Sequence, residues 1–330
     1  MARSTTPAPA KTGLLPSKTQ RYHFDIYAIL EGTQELYFGE DVAVNVNLVE
    51  TVKVPRTLPP RQETREGNAQ QVPPATTLEK CYISPTKRRG VERRILIWAP
   101  TVNGVLLGDQ YECGIPQTCA KQDCPICCAF GALQPEQDIS FVGRLTHGGG
   151  VAIQPLLPEV KQRARHPSVM SRQEGVDPMP YKREYNEPAL LYPVYNHCLS
   201  MTEPEFTSVA YAFLNALSRL GAGNPKGVRL AEGQLLAEEE PLLVLDRYLA
   251  PLGKRPVLSP QETDPNTAFQ HFREAAFFVF GKREEQEIIE HRIGEHPVFT
   301  RWIGNRAMQE LQRYSLEFTE HVLLHVEEGR

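Results

Sequence analysis

Five of the seven cysteines fall between positions 113 and 128, in the run C-G-I-P-Q-T-C-A-K-Q-D-C-P-I-C-C. Cys119, Cys124 and Cys127 are spaced C-x4-C-x2-C, and Cys113 lies a short loop upstream. Four thiolates so spaced can converge on one tetrahedral zinc ion, with each sulfur about 2.3 Å from the metal. Pro125 restricts the turn that aims Cys124 and Cys127 at one point. Cys128 is surplus; leading into Ala129 and Phe130, it suits a small buried hydrophobe better than a ligand. Structural zinc is therefore the expected cofactor, against three competing readings. A disulfide framework needs an oxidising compartment, and no secretory leader is visible. A redox C-x-x-C pair leaves the other cysteines unused. The third is a set of unpaired structural thiols. A catalytic zinc would call for a nearby acid or base such as His147, Glu112 or Asp123, and no His-x-Glu or His-Glu-x-x-His accompanies the cysteines.

The second concentration of chemistry is cationic. Lys87, Arg88, Arg89, Arg93 and Arg94 surround Gly90, with only Glu92 to offset them, and the run passes into the apolar segment 95–98, read as a strand. Charge runs are commonly solvated faces. Five crowded cations nonetheless repel one another unless an anion intervenes, and a phosphate backbone supplies one. Between 155 and 193, Lys161, Arg163, Arg165, Arg172, Lys182 and Arg183 alternate with Tyr181 and Tyr185, a mixture that suits single-stranded nucleic acid as well as an irregular partner-binding loop. A third segment, Arg219-Leu220-Gly221-Ala222-Gly223-Asn224-Pro225-Lys226-Gly227, can bring backbone N–H groups close to a phosphate. A glycine helix cap also explains most of it, and the order and ending of a nucleotide P-loop are missing.

These segments need a scaffold. With 330 residues, 41% of them hydrophobic, the chain can bury a substantial core, and 28 clustered prolines point to long loops around it. The net charge of −4 offers no global argument for nucleic acid, so local patches decide. No apolar run approaches the ~20 residues that cross a bilayer, and a soluble cytoplasmic protein without membrane contact is expected. Residues 1–20 read as a flexible arm. Segments 22–30 and 41–54 alternate as strands and are expected to pair at the centre of a sheet. Residues 139–145 read as a strand, and Gly148-Gly149-Gly150 as a turn or a close backbone approach. A helix is predicted over 203–220, with Thr202 and Glu205 forming a capping box. A strand at 241–244 follows, and helices are predicted at 267–280, 284–291 and 298–327.

The order of these features resembles the RNA-binding backbone subunit of class 1 CRISPR effector complexes, in the RAMP superfamily, with the type I-D variant nearest. The resemblance rests on Lys87 to Arg94, on Cys124-Pro125-Ile126-Cys127-Cys128-Ala129-Phe130-Gly131 and on the 219–227 loop, and it covers about 22–245. It implies an α+β fold shaped like an open hand, with an RRM-like (ferredoxin-like) βαββαβ palm over 21–245. That palm would carry a loop insertion at 55–80, a zinc-stabilised finger with its core at 110–135 and a thumb-like loop at 155–193. A helical C-terminal region over 246–330 would complete the chain. The implied partners are a guide RNA, target nucleic acid by base pairing, further copies of the chain and other effector subunits. No catalytic residue is assigned: Asp138, a lone loop carboxylate, suits a cap. The alternatives are a stand-alone zinc-containing single-strand-binding protein and, less well supported, a zinc-dependent enzyme.

Overall fold

Tyr22–Gly32 (β1) is the strand on which the chain is built, and every residue from Phe24 to Leu30 is buried. Its alternation serves two cores. Phe24, Ile26, Ala28 and Leu30 face one, while Tyr27 and Ile29 face the other. A strand buried on both faces needs neighbours on both edges as well, and β1 pairs antiparallel with Leu191–Met201 (β3) and Leu243–Tyr248 (β5). Leu145–Gly149 (β2) lies beyond β3, while His296–Ile303 (β7) and then Ile288–Ile293 (β6) lie beyond β5. Val228–Leu230 (β4) pairs with the end of β1. A computed structural model describes residues 20–43, 46–55, 77–135, 138–156, 159–165, 179–221, 227–236 and 238–324, with backbone alone for 40–43, 46–47, 159–165 and 179–183.

One face of this sheet carries Pro85–Ile97 (α1) and Glu203–Leu217 (α4), so the chain order β1-α1-β2-β3-α4-β5 meets the sheet order β5-β1-β3-β2. Helix α4 starts as its sequence prescribes. Glu205 N–H donates to Thr202 Oγ1 at 3.3 Å, and Thr202 N–H donates to the Glu205 carboxylate at 2.8 Å. Phe206 of this helix stacks on Phe24, with centroids 4.1 Å apart. Asn305–Phe318 (α6) closes the layer by setting Tyr314 edge-on against Phe206. The opposite face is covered by Pro265–Ala276 (α5) and the strap that leads into it. Leu258 N–H donates to the Tyr195 hydroxyl at 2.8 Å, and the buried Lys80 ammonium donates to the carbonyls of Pro260 (2.9 Å) and Glu262. The glycine run at 148–150 does bring backbones together: at Gly150, φ +98°, a Cβ would sit 2.0 Å from the Ile83 carbonyl.

Several expectations are corrected. Segment 41–54 does not pair with β1, whose edges are taken. Its strands are Gly39–Ala43 and Val46–Val49, which join Met179–Tyr185 and Glu159–Arg165 in a separate four-stranded sheet, and Thr51–Pro55, which pairs with Thr77–Cys81. The basic run is helical through Ile97. Pro85 opens α1, and the buried positions Arg88, Glu92 and Leu96 recur every four residues. The C-terminal region is not a helical extension, because β6 replaces the helix expected at 284–291 and β7 precedes α6; together they complete the main sheet. The expected strand at 139–145 is divided between Ile139–Val142, in a two-stranded ribbon, and β2. The arm before residue 20 and residues 56–76 of the loop insertion lie outside the described residues.

The C-terminal strands are locked by one buried ion pair. Arg301 clasps Asp246 through Nε and Nη2, both at 2.6 Å, and donates further to the carbonyls of Ala275, Ala276 and Lys254. Burial pushes the Asp246 carboxyl above its ordinary range despite the guanidinium beside it. Arg301→Ala is expected to cost about 3–5 kcal/mol at neutral pH, since it strands a buried carboxylate. The deficit should shrink as pH is lowered, because the folded variant protonates Asp246 while the unfolded chain still holds it ionised. Chemical denaturation of both proteins across pH measures this, and a deficit that grows toward acid would contradict it.

Candidate nucleic-acid interface and cysteine cluster

Helix α1 divides its five cations among three directions. Arg88 points into the protein and is 1% exposed. It donates to Asn196 Oδ1 (3.2 Å) and to the carbonyls of Gly148 and Tyr195 (2.9 Å each). Glu92, one turn on, accepts from Asn196 Nδ2 and from His147 Nε2, each at 2.9 Å. Burial lowers the Arg88 guanidinium to about 10, against the pull of Glu92. Arg88 therefore anchors the fold and is not at the surface. Arg89 donates to the Phe130 carbonyl and lies over the Phe130 ring at 5.6 Å, while Arg93 donates to the Gly114 carbonyl at 3.1 Å. Both hold the cysteine-bearing segment against the helix.

Lys87 and Arg94 remain on the outer side. They line a groove of two adjoining cavities, of about 390 and 380 Å3, which share Val91, Arg94 and Gly221. The first is bounded by Lys87, Gly90 and Tyr37, and the second by Trp98, Tyr211 and Arg219. The groove thus joins α1 to the end of α4, and it brings together Lys87, Arg94, Arg219 and Gly221 from the sequence-derived set. Lys87 is paired with Glu50 at 2.6 Å. Arg94 and Arg219 have no carboxylate partner among the described residues; Arg219 donates only to the Asn215 carbonyl (3.3 Å) and Ser218 Oγ (3.2 Å). Cations beside aromatic rings make a surface suited to a phosphate chain with stacking bases. Trp98, 61% exposed, and Tyr211 were missed by the sequence reading. Each carried a signal: Trp98 ends the basic run, and Tyr211 lies off the apolar stripe of the predicted helix.

The remaining candidates lie elsewhere. Lys161, Arg163, Arg165, Lys182 and Arg183 sit in the ribbon of Glu159–Arg165 and Met179–Tyr185, whose register sets Lys161 opposite Arg183, Arg163 opposite Tyr181 and Lys182 opposite Gln162. Arg172, Gly223 and Lys226 are outside the described residues.

Cys113, Cys119, Cys124 and Cys127 come together as their spacing predicts. Their sulfurs all lie within 4.8 Å of one another, with Cys127 Sγ at 3.5 Å from Cys113 and 3.6 Å from Cys119. These separations suit a tetrahedral ion with sulfurs at about 2.3 Å and leave no ligand position open. Leu107–Gln110 (α2) precedes the cluster, and Cys124 caps the short helix Pro125–Phe130 (α3), which delivers Cys127 one turn later. Hydrogen bonds from the other sulfhydryls, Cys119 first, favour a thiolate at Cys113, while contacts led by Cys113 push Cys124 and Cys127 up. A bound cation would let all four ionise. Cys113, Cys124 and Cys127 are buried within the main core, so the cluster is continuous with the sheet and helix layers. Cys128 is not among the four, and burial raises its thiol to about 12. His147 is engaged with Glu92, and the exposed Glu112 pairs with Lys121 at 3.5 Å.

The described chain is a mixed α+β protein with a main antiparallel sheet, a cation-and-ring groove on its helical side and four cysteines able to hold a metal ion. No described helix is long and apolar enough to cross a membrane. No family model matches the chain, and no curated protein matches it. Among solved structures it is similar to Csc2 of Thermofilum pendens, at 14% identity and a TM-score of 0.37, over 91% of this chain and 76% of that one. It is also similar to a chain of a CRISPR RNA-guided surveillance complex, at 12% identity and a TM-score of 0.36, over 91% and 85% respectively.

The two kinds of arginine should separate by mutation. Arg94→Ala and Arg219→Ala should leave thermal stability near the parent's while each lowers the salt slope of single-stranded RNA binding by about one. Arg88→Ala should lose about 3 kcal/mol of folding stability, because its carbonyl and amide partners are left buried. Denaturation and filter-binding titrations on the same three variants give the comparison.

Proposed function

We propose that this chain is a non-catalytic, guide-RNA-binding backbone subunit of a class 1 CRISPR interference complex of type I-D character. The observation that carries the reading is the groove in which Lys87, Arg94, Arg219 and Gly221, drawn from two distant parts of the chain, meet beside Trp98 and Tyr211. A subunit that must accept any guide sequence has to hold phosphate and ribose and leave the pairing edges of the bases free. Guanidinium groups without carboxylate partners among the described residues, Arg94 on α1 and Arg219 just past the end of α4, do this without reading sequence.

In this reading β1-α1-β2-β3-α4-β5 is the RRM-like palm, and the ribbon within 155–193 belongs to the thumb. The segment around Cys113, Cys119, Cys124 and Cys127 is the finger core, held by structural zinc. The four sulfurs fit such an ion, which would cross-link the loop before α3 to the core. The motifs of 87–94, 124–131 and 219–227 support the family assignment, and the closed cysteine set speaks against a catalytic metal.

Two measurements test the reading. Size-exclusion chromatography with a guide-length RNA should give particles that grow in steps of one subunit, with an affinity independent of base sequence. A one-to-one complex would instead indicate a stand-alone single-strand-binding protein, and no RNA binding at all would overturn the proposal. Metal analysis should find one zinc per chain, and chelation should lower Tm before RNA affinity is affected. A Cys124→Ser variant as heat-stable as the parent but unable to bind RNA would contradict the supporting role given to the metal.

A further inference from the structure

Gly90 lies in the middle of α1, where glycine is less favourable than alanine. The described residues supply no packing reason for it. Among the described residues, a Cβ built at Gly90 meets only the tip of Arg94, at 3.5 Å from Nη1 and 3.9 Å from Nη2, which is ordinary contact with a flexible side chain. Gly150 is different, since a Cβ there collides with backbone. The bare patch opens onto the groove, between Lys87 one turn before and Arg94 one turn after. Trp98 continues the same stripe one turn further, so that Lys87 to Trp98 covers ~16 Å of helix.

We infer that the missing side chain at Gly90 is the point of closest approach for a single-stranded RNA. The sugar-phosphate chain rests on the helix there, Arg94 takes a phosphate on one side, Lys87 exchanges its Glu50 partner for a phosphate on the other, and Trp98 stacks on a base. The inference rests on the RNA-binding reading above and adds to it a contact surface and a stacking position. The Arg94 guanidinium, which lies over Gly90 in the free protein, has no carboxylate to release among the described residues and turns outward to the phosphate. A ring stacks on any base, so this contact keeps the grip independent of sequence. A protein partner would be the other candidate for Trp98, since Val102 and Val105 nearby are also exposed. Cations on both sides of the bare helix surface favour a phosphate chain.

The test uses the full chain, a guide-length RNA and the variants Gly90→Ala and Trp98→Ala. Gly90→Ala should raise Tm by about 1–2 °C and weaken RNA binding by about fivefold or more. Trp98 is one of two tryptophans, and the other, Trp302, is 9% exposed. RNA should therefore quench the parent's fluorescence, and Trp98→Ala should abolish the quench and weaken binding by about tenfold. If Gly90→Ala binds RNA as tightly as the parent, or lowers Tm, the inference fails while the RNA-binding reading stands. If Trp98→Ala keeps its RNA affinity but loses association with another protein, the stripe is a protein contact and the inference is overturned. If the parent binds no RNA, both fail.

Discussion

Arg88 sets the rotation of α1, and much of the working surface depends on that rotation. Its guanidinium donates to carbonyls of β2 and β3 at once, while Glu92 one turn on takes Asn196 and His147. A buried cation with all its neighbours fixed tolerates little displacement, because any shift leaves a charge without partners in a medium of low dielectric. With Arg88 and Glu92 inward, the helical period turns Lys87, Gly90 and Arg94 outward and directs Arg89 and Arg93 to the side. The outer cations are placed by an inner one.

The same helix links the groove to the cysteines. Arg89 and Arg93 hold the carbonyls of Phe130, three residues past Cys127, and of Gly114, next to Cys113. The cysteine-bearing segment is thus tied to α1 by two polar contacts. A metal that fixes the four sulfurs also steadies the helix from which the outer cations project.

What could be read in the sequence was what is decided locally. The capping box of Thr202 and Glu205, the two-faced strand β1 and the convergence of the four cysteines all depend on neighbours within a few positions. Helix α1 was concealed because Arg88 and Glu92 stand where its buried stripe would show apolar residues, so hydrophobicity gave no helical period. Strand β6 was read as helix because Glu290 and Arg292 suit either state, and strand β7, with which it forms a hairpin, pairs with β5 only across some forty residues or more of intervening chain. The groove was legible only in its parts. Nothing local relates Arg219 to Arg94, and Tyr211 acquires its meaning only from the helix beside it.

The outer stripe of α1 is not symmetrical end to end. Lys87 stands in its first turn and Arg94 in its last, with the Trp98 ring just beyond at one end, and the strap over Tyr195 closes the other side of the sheet. A strand seated on the helix as proposed therefore meets a ring at one end only. The stretch of nucleic acid that one chain would hold in this way is then bounded by the length of a single helix face.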